Sequence, residues 1–159
     1  MSVLVDVKVD GNDLARFQLR HAYTRLSGIL SMILSLAALF MLLINWPSIE
    51  VNQRGVLIVI VLLFTIIQPL LLIYKARKQV KNTMLKDSFL YQFDENGMTV
   101  SQGELSQSTI WDHIRKVIIK ENFVYIYVTA YNAVILPKDK CGGHFDEVVA
   151  CIKEYKGIK

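Results

Sequence analysis

The chain is short of the residues from which catalytic and metal centres are built. Its 159 residues include two cysteines, three histidines and three prolines. Cys141, His144 and Cys151 fall close together, with Asp146 and Glu147 beside them. The CGGH step has the two-residue spacer of zinc sites, yet a structural zinc takes four ligands, and the sequence holds no second CxxC and no HxxxH. No metal and no cofactor are therefore expected; Cys151 reads as a small core residue and His144 as a polar residue at a helix start. Cys141 with His113 or His144 as base has no evident orienting partner or oxyanion site. No catalytic residue is assigned, and the expectation is a protein that is not an enzyme. The carboxylate pairs Asp94-Glu95 and Asp146-Glu147 suit a turn and a first helical turn. The phosphate-binding string GxxxxGK[ST] is absent, and Asn122 and Asn132 lack the Ser or Thr of a glycosylation site.

Charge is missing from two long stretches. Residues 26–46 read LSGILSMILSLAALFMLLINW and residues 56–74 read VLIVIVLLFTIIQPLLLIY. They explain how a chain with 20% charged residues has 53% hydrophobic residues and a mean hydropathy of +0.36. As helices these runs span about 31 and 28 Å, close to the roughly 30 Å of a hydrocarbon core. A helix packed in a soluble protein carries a polar face, and these runs have none. The first is too long for a signal peptide and follows a mixed polar segment. The expectation is a retained membrane hairpin, with transmembrane helices at 26–46 and 56–74 and a short extracytoplasmic loop at 47–55.

Flanking charge sets the orientation. Arg16, Arg20 and Arg25 precede the first run, and Lys75, Arg77, Lys78 and Lys81 follow the second, whereas the loop holds only Glu50 and Arg54. Basic flanks resist translocation, so both termini are expected in the cytoplasm of a cell-membrane protein. Trp46 and Tyr74 stand at run ends, where amphipathic rings favour the interface. Residues 1–81 carry nine Lys and Arg against four Asp and Glu, or +5; residues 82–159 carry nine against ten, or −1. The sequence pI near 9.1 is thus a juxtamembrane effect. It excludes a nucleic-acid-binding reading, since no basic face stands out downstream. The seven basic residues are candidate contacts for anionic membrane lipids; the alternative is that they only set topology. Cytoplasmic placement also argues against a disulfide between Cys141 and Cys151.

Within the first run Ser27, Ser31 and Ser35 recur every fourth residue beside Gly28, a small-residue stripe that lets helices approach closely in lipid. Its expected partner is the second run, with a homo-oligomer seam as the alternative. Gln68-Pro69 reads as a kink near the inner interface.

Outside the runs the pattern alternates. SVLVDVKV suits a short strand, DGND a turn, and Asn12 or Asp13 the cap of a helix that starts near Leu14 and runs into the first span. Residues 1–25 form that N-terminal element, and residues 75–87 a basic juxtamembrane helix. In residues 88–159, SFLYQF, MTVSQ, GELSQSTIW, RKVIIKE, FVYIYV and AVILP read as six strands, and HFDEVVACIKEYKG as an amphipathic helix with Phe145, Val148, Val149 and Ile152 on one face. DENG is a turn in which Gly97 is available for positive φ. Trp111 and Asp112 are candidates for partner recognition at a strand end, together with Tyr125 and Tyr127. The alternatives are a core Trp with Asp112 capping a short turn, and tyrosines, Tyr91 and Tyr131 included, packed against neighbours.

The strings FDENGMTVS, IWDHIRKVIIKENFVYIYV and AVILPK resemble the C-terminal domain of the YcxB-like family of bacterial membrane proteins. Phe93, Gly97, Trp111, Asp112, Tyr125, Tyr127, Leu136 and Pro137 are the matching positions, and the hairpin and N-terminal strand also suit the family. The resemblance implies a membrane α-helical hairpin plus an α+β cytoplasmic domain, an antiparallel pleckstrin-homology-like partly open barrel capped by a C-terminal helix. It carries no catalytic residue across. The resulting expectation is a membrane-anchored interaction or regulatory protein binding a protein partner or inner-leaflet lipid. The alternative is a small subunit of a transport or export assembly, motivated by Gln68-Pro69 and the serine stripe.

Overall fold

A computed structural model describes residues 2–82 and 87–157. The expected basic helix over 75–87 is described to Asn82, and its remaining positions 83–86 lie outside the described residues. The chain forms two compact units, residues 1–13 with 80–159, and residues 14–79.

The first unit holds the strands. β1 (Val3–Val7) alternates strictly, with Val3, Val5 and Val7 buried and Leu4 and Asp6 exposed. It pairs antiparallel with β2 (Phe89–Phe93), Val5 opposite Tyr91, although the whole apolar segment separates the two in sequence. β3 (Gly97–Gln102) and β4 (Leu105–Ile110) complete a sheet in the order β1-β2-β3-β4. A 3-10 turn at Trp111–His113 leads to a second antiparallel sheet, β5 (Lys116–Lys120), β6 (Phe123–Tyr127) and β7 (Ala133–Pro137), in the order β5-β6-β7. The helix α5 (Phe145–Lys156) follows and lies against β1, β2 and the Trp111 turn. Its buried face is Phe145, Val148, Cys151 and Ile152. With Phe93, Met98, Ile114, Val124, Ile126 and Leu136, that face makes the core. Among the described residues the two sheets form no closed barrel.

The β2–β3 turn works differently from the expectation. Asp94 Oδ1 accepts from the N–H groups of Asn96 at 2.8 Å and Gly97 at 3.1 Å, an Asx turn. Gly97 does not adopt positive φ. A Cβ there would stand 2.1 Å from the Thr109 carbonyl oxygen, so close approach of β4 explains the glycine.

The helix α1 (Gly11–Tyr23) begins at Gly11, and its cap is Asp10 rather than Asn12 or Asp13. Asp10 Oδ1 accepts from the N–H of Asn12 at 2.7 Å and of Asp13 at 2.9 Å, while Asp13 Oδ2 accepts the N–H of Asp10 at 3.1 Å. This is the reciprocal geometry of a capping box, with aspartate at both ends. Nor does α1 run into the next helix. It ends at Tyr23, the Thr24 hydroxyl bonds back to the Arg20 carbonyl at 2.8 Å, and Arg25 is extended with φ −85° and ψ 155°. The break lets α2 (Leu26–Ile44) turn away close to α1, where a Cβ on Gly28 would meet the Ala22 carbonyl oxygen at 2.0 Å.

In the second unit α2 packs along α3 (Val51–Leu62) and a π-helical turn at Leu63–Ile67, which leads into α4 (Gln68–Asn82). Leu26–Ile44 and Val51–Lys81 are long and apolar enough to cross a membrane, with window hydropathies of 2.4 and 3.0. Gly28, Ser35, Ala38 and Leu42 are the buried positions of α2. Most of its large side chains point outward, Phe40 at 64% and Leu43 at 73% exposure among them.

Candidate functional site

Trp111 ties three elements of the first unit together. Its indole Nε1 donates to the Asp94 carbonyl at 2.9 Å, and its ring stacks on Tyr155 with centroids 6.3 Å apart. Its own carbonyl accepts from Lys156 Nζ at 2.6 Å and from the Ile114 N–H at 3.1 Å. The residue is 6% exposed and joins the β2–β3 turn, the 3-10 turn and α5. Asp112 is exposed and caps nothing, because the turn starts at Trp111 with Ile110 as its cap. Tyr125 and Tyr127 are buried in the central strand of the second sheet, and Tyr125 stacks on Phe123 at 4.3 Å. Tyr91 is buried too, and burial pushes its hydroxyl up to about 12, whereas Tyr131 is exposed. The buried rings of Trp111, Tyr91, Tyr125 and Tyr127 offer a partner little surface.

Polar reach in the first unit lies elsewhere, along β4. This strand is an outer strand of its sheet, and its residues are almost all exposed. On one face it shares hydroxyl pairs with β3, Thr99 with Ser108 at 2.8 Å and Ser101 with Ser106 at 3.0 Å. Leu105 at 64% and Ile110 at 48% are exposed apolar side chains on the same strand.

A second polar cluster sits where β1 leads into α1. Lys140 Nζ pairs with Asp10 at 2.7 Å and also bonds Asp13, whose carboxylate is buried. Burial works to raise the Asp10 carboxyl, but hydrogen bonds from Lys140 and from the N–H groups of Asp13 and Asn12 outweigh it and hold it at about 2. Burial likewise works to lower the Lys140 ammonium, and its bonds to Asp10 and Asp13 raise it instead. Every member of the cluster is engaged by another, so it locks the loop after β7 to the cap of α1. Sequence reading missed this pair. The DGND string carries the capping signal, but nothing local connects it to Lys140.

The cysteine and histidine candidates do not assemble. Cys141 is buried, its thiol pushed up to about 11 by burial, and it bonds the Pro137 carbonyl at 3.2 Å. Cys151 faces the core, and burial raises its thiol as well. His144 turns outward to Glu147 at 3.0 Å. Among the described residues no group of three or more His, Cys, Asp or Glu side chains is placed to hold a metal ion.

In the second unit α1 and α4 are neighbours, Gln18 Nε2 donating to Gln79 Oε1 at 3.2 Å. Arg16 and Arg20 flank Gln18 in sequence, Lys75, Arg77 and Lys78 precede Gln79, and Arg25 follows α1; Lys81 is exposed just beyond this unit. The one acidic residue of residues 14–79 is Glu50, in the α2–α3 loop. There Arg54 donates to the Ile49 carbonyl at 2.9 Å and lies over the Trp46 ring at 4.8 Å.

The serine stripe divides. Ser27 is exposed, Ser31 bonds back to the Ser27 carbonyl at 2.8 Å, and Ser35 is buried and shares a hydrogen bond with Thr65 at 2.9 Å. Thr65 lies in the π-turn, which explains the Gln68-Pro69 step more closely than a kink does. The Gln68 N–H bonds the Leu63 carbonyl, five residues back, so the Phe64 carbonyl loses its usual donor. The next residue is Pro69, which has no N–H. The Tyr23 hydroxyl fills the gap, donating to the Phe64 carbonyl at 3.2 Å.

These features define an α+β protein, two antiparallel sheets with a C-terminal helix, joined to a pair of helices long and apolar enough to span a membrane. The family described as YcxB-like protein matches residues 93–151. The match runs from the end of β2 into α5 and bears out the resemblance over that stretch; β1 and the apolar helices lie outside it. No curated protein matches the chain.

Proposed function

We propose that this chain is a non-enzymatic, membrane-anchored interaction protein. In this reading its two apolar helices cross the cell membrane, both termini lie in the cytoplasm, and a small β domain at the inner leaflet takes a protein partner along an open sheet edge. The pairing of β1 with β2 carries the reading. Residues before and after the apolar segment share one sheet, so both flanks of the hairpin sit on one side of any bilayer it crosses. The basic flanks support the cytoplasm as that side and anionic headgroups beside it, at roughly 1 kcal/mol per residue close to the surface. The exposed Leu, Ile and Phe side chains of the helices support lipid as their surroundings. Sheets of four and three strands followed by one helix support a pleckstrin-homology-like domain, completed by β1 from before the hairpin. The open edge β4 supports strand addition as its mode of binding. The transport reading is the weaker one, because Ser35, Thr65 and Tyr23 use their hydroxyls inside the hairpin.

The test uses the full chain in its native membrane. A membrane-impermeant thiol reagent should label Ser48→Cys and not Lys8→Cys in intact cells. A photoreactive side chain at Ser106 should give a protein adduct that the same group at Ser48 does not. Labelling of Lys8→Cys from outside, or no adduct at Ser106, refutes the proposal.

A further inference from the structure

The outer strands of the two sheets are not alike. β1 turns Asp6 outward, β5 is bracketed by Lys116 and Lys120, and β7 ends on Pro137. Charge and proline at such positions block pairing with another chain. β4 reads LSQSTI and has neither. Its register against β3, with Gln102 opposite Leu105 across a two-residue loop, makes Leu105, Gln107 and Thr109 the hydrogen-bonded partners. The backbone N–H and C=O groups of Ser106, Ser108 and Ile110 therefore point away from the sheet.

We propose that β4 pairs antiparallel with β4 of a second copy of this chain, joining two four-stranded sheets into one. The proposal rests on the reading above, in which the domain is held at a membrane face and takes a protein along this edge. The strand is complementary to itself. A two-fold axis at Ser108 sets Ser108 opposite Ser108, Ser106 opposite Ile110 and Gln107 opposite Thr109. All three outward-pointing residues then find backbone partners. Within Leu105–Ile110 no charged side chains meet, and Ser108 faces its copy on the side where hydroxyls already pair across β3 and β4. Tethering by the same hairpin also holds two copies at one height and raises their effective concentration.

The full chain in native membranes tests this. In a hydrogen-bonded antiparallel pair the Cα atoms are about 5.5 Å apart, within disulfide reach. Under mild oxidation Ser108→Cys should give a covalent dimer and Glu104→Cys, displaced to the turn, should not. The mass of the wild-type chain in detergent should be that of a dimer. Ser108→Lys, whose side chain stays in solvent in a single copy, should keep its thermal melt. It should weaken self-association about tenfold or more, because two ammonium groups meet at the axis. A monomeric wild type, or a Ser108→Lys variant that keeps the dimer mass, overturns the proposal. A different protein bound along β4 of a monomeric chain also overturns it but leaves the interaction reading standing; no partner of either kind sinks both.

Discussion

Replacing Tyr23 with phenylalanine isolates a single hydrogen bond in an apolar setting. The Phe64 carbonyl has lost Gln68 to the π-turn, and the following residue, Pro69, offers no N–H, so the Tyr23 hydroxyl at 3.2 Å is the donor that meets it. Without it the oxygen has no donor, in a helix pair proposed above to lie in lipid. An unsatisfied buried carbonyl costs about 1–3 kcal/mol, while hydrogen bonds between membrane helices average about 0.6 and reach about 1.7. Tyr23→Phe should thus destabilise the helical unit by about 1–2 kcal/mol. Pro69→Ala restores an N–H that can serve either Phe64 or Thr65 within the helix. In that background Tyr23→Phe should cost no more than about 0.5 kcal/mol, a coupling readable by a double-mutant cycle. The assay is reversible unfolding of the purified chain in mixed micelles, followed by helical circular dichroism. Equal costs in the two backgrounds would show that Tyr23 does not compensate for the proline.

Three further outcomes follow from the first unit. Lys140→Met leaves the buried Asp13 carboxylate without its cation and should cost about 1–3 kcal/mol by denaturant titration. In the wild type the Asp10 carboxyl is held at about 2 against an ordinary 3.8, so its contribution is full at neutral pH. That contribution fades as the pH falls from about 4 through about 2, and in Lys140→Met an acid titration should show less loss across that window. Trp111→Phe keeps a ring against Tyr155 but drops the bond to the Asp94 carbonyl, for an expected cost of about 1–2 kcal/mol; an unchanged melt would remove Trp111 from its joining role. Residues 87–157 expressed alone should give no cooperative melt, because three buried β1 valines at about 1.5–3 kcal/mol each are a large part of a small domain's stability. Fusing residues 2–10 to that fragment through a flexible linker should restore the melt, and a stable fragment without them refutes the split domain.

Much of this was legible in sequence because it depends on periodicity. The alternation in VLVDV, FLYQF and FVYIY placed strands, and the spacing of Phe145, Val148 and Ile152 placed the terminal helix. The mistakes concern choices made by geometry beyond the local string. Gly97 invites a positive-φ reading in any DENG turn, and only the closeness of Thr109 explains it otherwise. The cap of α1 is Asp10 because α1 starts at Gly11, three residues ahead of the expected start, and only the structure shows Lys140, distant in sequence, joined to its carboxylates. Burial of Trp111, Tyr125 and Tyr127 was likewise not legible, since aromatic residues serve partners and cores alike and share one composition.

The amino-acid sequence by itself determined that this chain has two uncharged runs of membrane-spanning length, basic flanks on both and a strand-rich remainder ending in one helix. These properties are local, set by side-chain polarity and its period along the chain. Tertiary structure decided that β1 completes a sheet begun on the far side of those runs, that Tyr23 meets the carbonyl freed by the π-turn, and that β4 is left with an open, uncharged edge. Each of these depends on which groups distant in sequence come within hydrogen-bonding distance, and composition and spacing do not encode that.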